Sequence, residues 1–153
     1  MTGKGRPFRE ADRPGRTGGA MLELVVVLPF LILLAIGVTD FGKVYFTSVA
    51  VANAARAGAE WGAFSGGQSV DQAGIEDFAR FDGAEVGTIT VTSNRVCRCG
   101  ATATACTTQT CSGYGPPRVY IEVTASQVVN FILKWPGVPP SITVSRTATF
   151  RAQ

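Results

Sequence analysis

Residues 19–39 read Gly-Ala-Met-Leu-Glu-Leu-Val-Val-Val-Leu-Pro-Phe-Leu-Ile-Leu-Leu-Ala-Ile-Gly-Val-Thr, an apolar run in which Glu23 is the only charge. Coiled as a helix at 1.5 Å per residue, such a run is about 31 Å long, the thickness of one hydrocarbon core. The chain has 153 residues, which by length is one domain, too little protein to wrap this helix on all sides. The run is therefore predicted to cross a membrane. A cleavable secretory signal fits poorly. The run is too long for an ordinary apolar signal core, Glu23 interrupts its start, and the small residues at 50–55 lie too far beyond it.

Charge placement gives the expected topology. The first eighteen residues carry Lys4, Arg6, Arg9, Arg13 and Arg16 against Glu10 and Asp12, whereas the remainder has nine basic and nine acidic residues. The whole formal charge of +3 thus sits on a Gly- and Pro-rich tail without apolar periodicity. This reads as a basic cytoplasmic leader over 1–18, a transmembrane helix over 19–39 and an outward-facing C-terminal region. Charge confined to such a leader gives no basis for a nucleic-acid partner. The chain also lacks histidine. That removes His-activated nucleophiles and His-containing zinc sites, so catalysis is disfavoured and no metal or other cofactor is called for.

Glu23 needs a reason, because a carboxylate within a spanning segment is costly and usually has a partner. A cut between Gly18 and Gly19 would create an α-ammonium four residues before Glu23, one helical turn away. On the same subunit or a neighbour, that ammonium is the natural counter-charge. Two glycines at the junction suit cleavage, since a bond flanked by residues without Cβ extends easily into a protease cleft.

A basic leader, a glycine at the cut, Glu as fifth residue of the trimmed chain and an immediate apolar helix are similar to a type IV prepilin signal. Three blocks narrow the resemblance: Met21-Leu-Glu-Leu-Val-Val-Val-Leu-Pro-Phe-Leu31, Gly37-Val-Thr-Asp-Phe-Gly-Lys43 and Ala52-Asn-Ala-Ala-Arg-Ala-Gly-Ala59. Together they resemble the TadE-like (TadE/TadG) pilus assembly proteins over Gly18 to about Gly62. The resemblance implies a minor pilin, pseudopilin or assembly factor of a tight-adherence (Flp) pilus or related secretion system. It also implies the inner membrane, a prepilin peptidase, other pilin-like subunits and the pilus assembly machinery as partners. The competing expectation is an unprocessed single-pass binding module, anchored in the membrane and facing the periplasm or cell exterior.

Beyond Thr39 helical periodicity continues through Phe41, Val44, Tyr45, Ser48 and Ala52, which predicts a stem over 40–63. Ala52, Ala55 and Ala59, with Gly58 and Gly62, form small-residue stripes for close helix packing, against other subunits or against the chain's own head. Arg56 and Glu60 are spaced for a solvated i,i+4 contact. Ser65-Gly-Gly67 ends the stem. Ser69 and Gln72 have the spacing of a capping box that opens a short helix, with Ile75, Phe78 and Ala79 as its buried face and an end near Asp82-Gly83.

The remainder alternates with period two at 88–92, 118–124 and 141–145, the last extending through Phe150. The expected fold is α+β: a long N-terminal helix, a short second helix and a small antiparallel sheet of three to four strands, pilin-like, with the head over 64–153. The apolar stretch from Val128 to Trp135 reads equally as an edge strand or an exposed patch. Cys97, Cys99, Cys106 and Cys111 fall in a predicted loop over 95–113. Outside the cytoplasm two disulfides are expected in preference to a metal site. The pairings left open are 97 with 106 and 99 with 111, or 97 with 111 and 99 with 106.

Overall fold

The computed structural model describes residues 17–113, 115–134 and 137–152. The predicted leader lies outside the described residues up to position 16. Helix α1 runs Thr17–Ala63 and helix α2 runs Gln72–Asp82. Four strands follow: β1 Thr90–Cys99, β2 Thr102–Thr104, β3 Arg118–Asn130 and β4 Ser141–Arg151. They form one antiparallel sheet in the order β2-β1-β3-β4. The architecture is the expected α+β, with four strands. The chain divides into two compact units at Gly37/Val38, and the sheet, α2 and the C-terminal part of α1 belong to the second.

In the first unit α1 carries its large aliphatic side chains exposed, from Met21 and Leu22 to Leu33 and Leu34. Pro29 lies inside the helix. A proline costs one backbone hydrogen bond, a loss that helices of this composition tolerate.

In the second unit α1 covers one face of the sheet. The buried row is Asp40, Thr47, Val51, Ala54, Ala55, Ala59 and Ala63, with half-buried Val44 between the first two. It meets Ile75 and Ala79 of α2, Ile89 and Val91, and Ile121, Val123 and Ala125 of β3. The expected stripe is therefore rotated by one position: Phe41 and Tyr45 point outward, 74% and 66% exposed. Burial here follows side-chain size, since only small residues let the helix axis approach a second helix and a sheet together. A Cβ on Gly58 would lie 2.8 Å from the Ala79 Cβ, and one on Gly62 would lie 2.6 Å from the Ile75 Cδ1. The small-residue stripe is thus spent largely within the chain, with Ala55 and Ala59 fully buried and Ala52 half-buried.

Helix α2 starts one residue pair later than the capping box suggests. Its N-cap is Asp71, whose Oδ1 accepts the Gly74 N–H at 3.0 Å. Ser69 lies instead in a 3-10 turn, Gln68–Val70, with its hydroxyl donating to the Gly66 carbonyl at 2.7 Å. Of the residues expected on its buried face, Ile75 and Ala79 are buried, but Phe78 is 42% exposed and stacks on Trp61 with ring centroids 6.1 Å apart. Glu76 fastens α2 to β1, accepting the Ser93 N–H at 3.2 Å and pairing with Arg80 at 2.9 Å.

Strand β1 begins at Thr90 and continues through Cys99, well past the alternating stretch. Its covered face passes from Val91 to Ser93 to Cys97, and the buried serine, satisfied by Glu76, is what interrupts the apolar pattern. Val128 and Val129 lie near the end of β3, which closes at Asn130, so the stretch from Val128 divides between a strand end and a loop, with Trp135 outside the described residues.

Candidate functional site

The candidate site residues lie along α1 and at two places in the head. Gly18 and Gly19 are helical, and a Cβ on Gly19 would meet nothing within 4 Å. Glu23 is exposed on the next turn and has no ion pair among the described residues. The ammonium expected for it requires a chain beginning at Gly19; here that nitrogen is part of a peptide bond.

Asp40 ends the apolar run and is 9% exposed. Its carboxylate accepts the Ile132 backbone N–H with both oxygens, at 3.0 Å to Oδ1 and 3.2 Å to Oδ2. Ile132 belongs to the loop between β3 and β4, which closes with the Phe131 N–H donating to the Pro140 carbonyl at 3.0 Å. Seven residues on from Asp40, Thr47 continues the buried row, and the Ser48 hydroxyl accepts from Arg146 Nη2 of β4 at 2.6 Å. From the sequence Asp40 stands out only as part of the Gly37–Lys43 block, and its tether is not visible there. The available signal was its position in register with Val44, Thr47 and Val51, which places an acid on the buried side of a helix and demands a donor.

The cysteines occupy the β1–β2 end of the sheet. Cys97 and Cys99 lie on β1 rather than in a loop, because β1 pairs with β2 through Cys97↔Thr104 and Cys99↔Thr102. Cys106 and Cys111 follow the hairpin and form disulfides to Cys97 and Cys99 respectively. Of the two pairings open from sequence, this is the first. Gly100, with φ of 62°, makes the turn between the strands. Cys111 also bridges to Gly115, so the second disulfide holds the segment leading back into β3. Arg98 from the same strand lies over the Tyr120 ring at 5.4 Å.

A groove of about 420 Å³ near this end is lined by Gly66, Ser69, Arg95, Pro117, Arg118 and Arg151. It brings no carboxylate together with a nucleophile, and the Ser69 hydroxyl is committed to a backbone carbonyl. Arg56 and Glu60 are both exposed and form no ion pair among the described residues.

The cysteines thus lie in the head, and Gly18, Gly19, Glu23 and Asp40 all lie on α1. The comparison with known families falls on the same stretch. Residues 18–60 match the family model for TadE-like protein. No curated protein and no solved structure matches the chain. The TadE-like segment contains Gly18, Gly19, Glu23 and Asp40 and stops three residues before α1 does. It therefore covers the helix and leaves the sheet and disulfides outside it. This match and the single long apolar helix fit a membrane-anchored, pilus-related protein.

Proposed function

We propose that this chain is a TadE-like minor pilin, pseudopilin or assembly factor of a tight-adherence pilus or related secretion system, working by anchoring and packing rather than by catalysis. The observation that carries the reading is the coincidence of the TadE-like match with the Gly18-Gly19 junction, Glu23 and the exposed apolar face of α1. Residues 1–18 are the cytoplasmic leader, 19–39 cross the inner membrane, 40–63 continue as the stem, and 64–153 form the extracytoplasmic head. A prepilin peptidase cuts after Gly18. The new ammonium then stands one helical turn from Glu23, where a low-dielectric surrounding makes their attraction far stronger than in water. An ammonium from a neighbouring subunit satisfies Glu23 equally well, which couples processing to assembly.

Outward-facing Phe41, Tyr45 and Phe46 support packing among stems, because aromatic side chains exposed to this degree are costly to leave in water. The two disulfides suit a head outside the reducing cytoplasm.

Intact-mass measurement on protein purified from its native membrane, with and without reduction, tests the proposal. The expected chain begins at Gly19 and gains four hydrogens on reduction, two for each disulfide. A chain beginning at residue 1 or 2 overturns processing and favours an unprocessed anchored binding module. An unchanged mass on reduction overturns the oxidised head.

A further inference from the structure

Trp61 lies on the last turn of α1 and Phe64 just beyond its end, on the flank of the Gly58 and Gly62 positions that pack against α2 and the sheet. Together with Glu60 of α1 and with Phe78 and Asp82 of α2, they line an open groove of about 490 Å³. The stacked rings of Trp61 and Phe78 belong to this lining, and Phe64 is 76% exposed. Aromatic surface held open to water in this way marks a binding site rather than a core. Glu60 and Asp82 are exposed and form no ion pair among the described residues. Ring faces beside carboxylates suit a cation with a flat body. A guanidinium stacks on the rings and donates to the acids, whereas a neutral apolar ligand would leave both acids idle.

Guanidiniums gather at the end of the sheet where β1 turns into β2. Arg95, Arg118 and Arg151 line the groove there, and no carboxylate does. Strand register places Arg98 directly opposite Arg118, and Arg151 opposite Tyr120, two residues along β3 on the same face. Like charges directly opposed across a ladder destabilise it, and an outside anion relieves the repulsion. Glu122 follows on that face, yet none of these four arginines forms an ion pair among the described residues. Residues 71–85, by contrast, hold Asp71, Glu76, Asp77, Asp82 and Glu85 against Arg80 alone. The head is thus charge-separated, and its two grooves share no lining residue.

We infer that the groove beside Trp61 receives Arg118 from the sheet end of a second copy of this chain, with Glu60 and Asp82 as its acceptors and Arg95 and Arg151 flanking the contact. A second copy is the occupant that the charge distribution favours, because one molecule presents both complementary surfaces. Each surface meets the other kind rather than itself, so the contact is heterologous. A bound copy still offers an unused groove and an unused arginine end, and addition can repeat. The charges lie at the surface, so the contact weakens as salt rises. Every residue in the contact lies in the head, and the inference rests on the subunit reading only for its choice of a second copy as partner.

The test uses the full chain in detergent micelles, with association followed by sedimentation velocity over a range of protein and salt concentrations. One variant reverses the groove, Glu60→Arg with Asp82→Arg; another reverses the sheet end, Arg118→Glu with Arg151→Glu. All of these positions are exposed, so near-ultraviolet circular dichroism should match the parent. Each variant alone should associate at least about tenfold more weakly than the parent, and an equimolar mixture should recover most of the loss, since the two reversals complement each other. Phe64→Leu, which keeps an apolar side chain but removes a ring, should weaken association about threefold. Carbodiimide coupling of Arg118→Lys chains, mixed light and heavy in nitrogen isotope, should join position 118 of one copy to Glu60 or Asp82 of another.

Equal, salt-insensitive association of the parent and both variants places self-contact in the apolar run and overturns the inference, as does a parent that stays monomeric. Variants that lose association singly and fail to complement each other also overturn it. Loss confined to the groove variant assigns the groove to another cation and overturns the arginine end as its occupant. An uncut chain that still complements overturns processing at Gly18 and leaves the head contact standing.

Discussion

The two parts of α1 invert the usual relation between side-chain size and burial. Up to Leu34 the helix is built largely from Leu, Val, Ile and Phe, and these are exposed; Leu24, Leu31 and Leu34 are 56%, 51% and 65% exposed. From Val51 to Ala63 the buried residues are Val and Ala, with Gly58 and Gly62 beside them, and the surroundings are fully packed. One helix thus addresses two solvents. In lipid, large aliphatic surface costs nothing to expose; against a second helix and a sheet, what matters is how closely the backbone can come. Apolar content alone does not separate these environments, but residue volume does.

The sharpest way to break this contrast is to truncate one aliphatic side chain in each environment. Ile121→Ala, at a fully buried position, should destabilise the head by about 3 kcal/mol through lost transfer free energy and a residual cavity. Leu31→Ala should leave head unfolding within about 0.5 kcal/mol of the parent, since its surroundings in the apolar run are not part of that core. Denaturant unfolding of the disulfide-intact protein in detergent, followed by near-ultraviolet circular dichroism, measures both. Equal effects would end the two-solvent account.

Enlarging glycines applies the same contrast in reverse and with a smaller effect. Gly62→Leu must displace Ile75 and Ile121, and should cost about 2 kcal/mol through overpacking. Gly37→Leu has nothing within 4 Å of its Cβ and should leave head unfolding unchanged. Thermal melts of the pair decide. A neutral Gly62→Leu would mean that α1 and α2 can separate without loss.

Smallest is a local test within the head. Asp71→Ala removes the N-cap of α2 and should cost about 1 kcal/mol, whereas Ser69→Ala should leave the α2 N-terminus capped. Hydrogen exchange at the first amides of α2 distinguishes the two, and faster exchange in the Ser69 variant instead would restore the capping box.

Much of this architecture was legible from sequence because it rests on periodicity. The apolar run, the period-two strands and the glycine stop after Ala63 each follow from residue type and spacing. What periodicity conceals is a polar residue on the inside. Ser93 hides the middle of β1 because its satisfaction comes from Glu76, seventeen residues away. Asp40 displaces the apparent stripe of the stem because an acid on a buried row reads as a polar face. Strand β2 has three residues, too few to declare a period. At the candidate site, Gly18, Gly19 and Glu23 stand out locally, whereas Asp40 acquires its partner from a loop ninety-two residues on, which no local pattern contains.

The two disulfides carry a consequence for the order in which the head is built. Their sequence separations are 9 and 12 residues, and all four sulfurs lie between positions 97 and 111. They need only the β1–β2 hairpin and its return, not β3 or β4. In a chain that emerges amino end first, oxidation can be complete while the strand that will become the centre of the sheet is still on its way. An oxidised hairpin would offer β1 as a preformed edge on which β3 can pair.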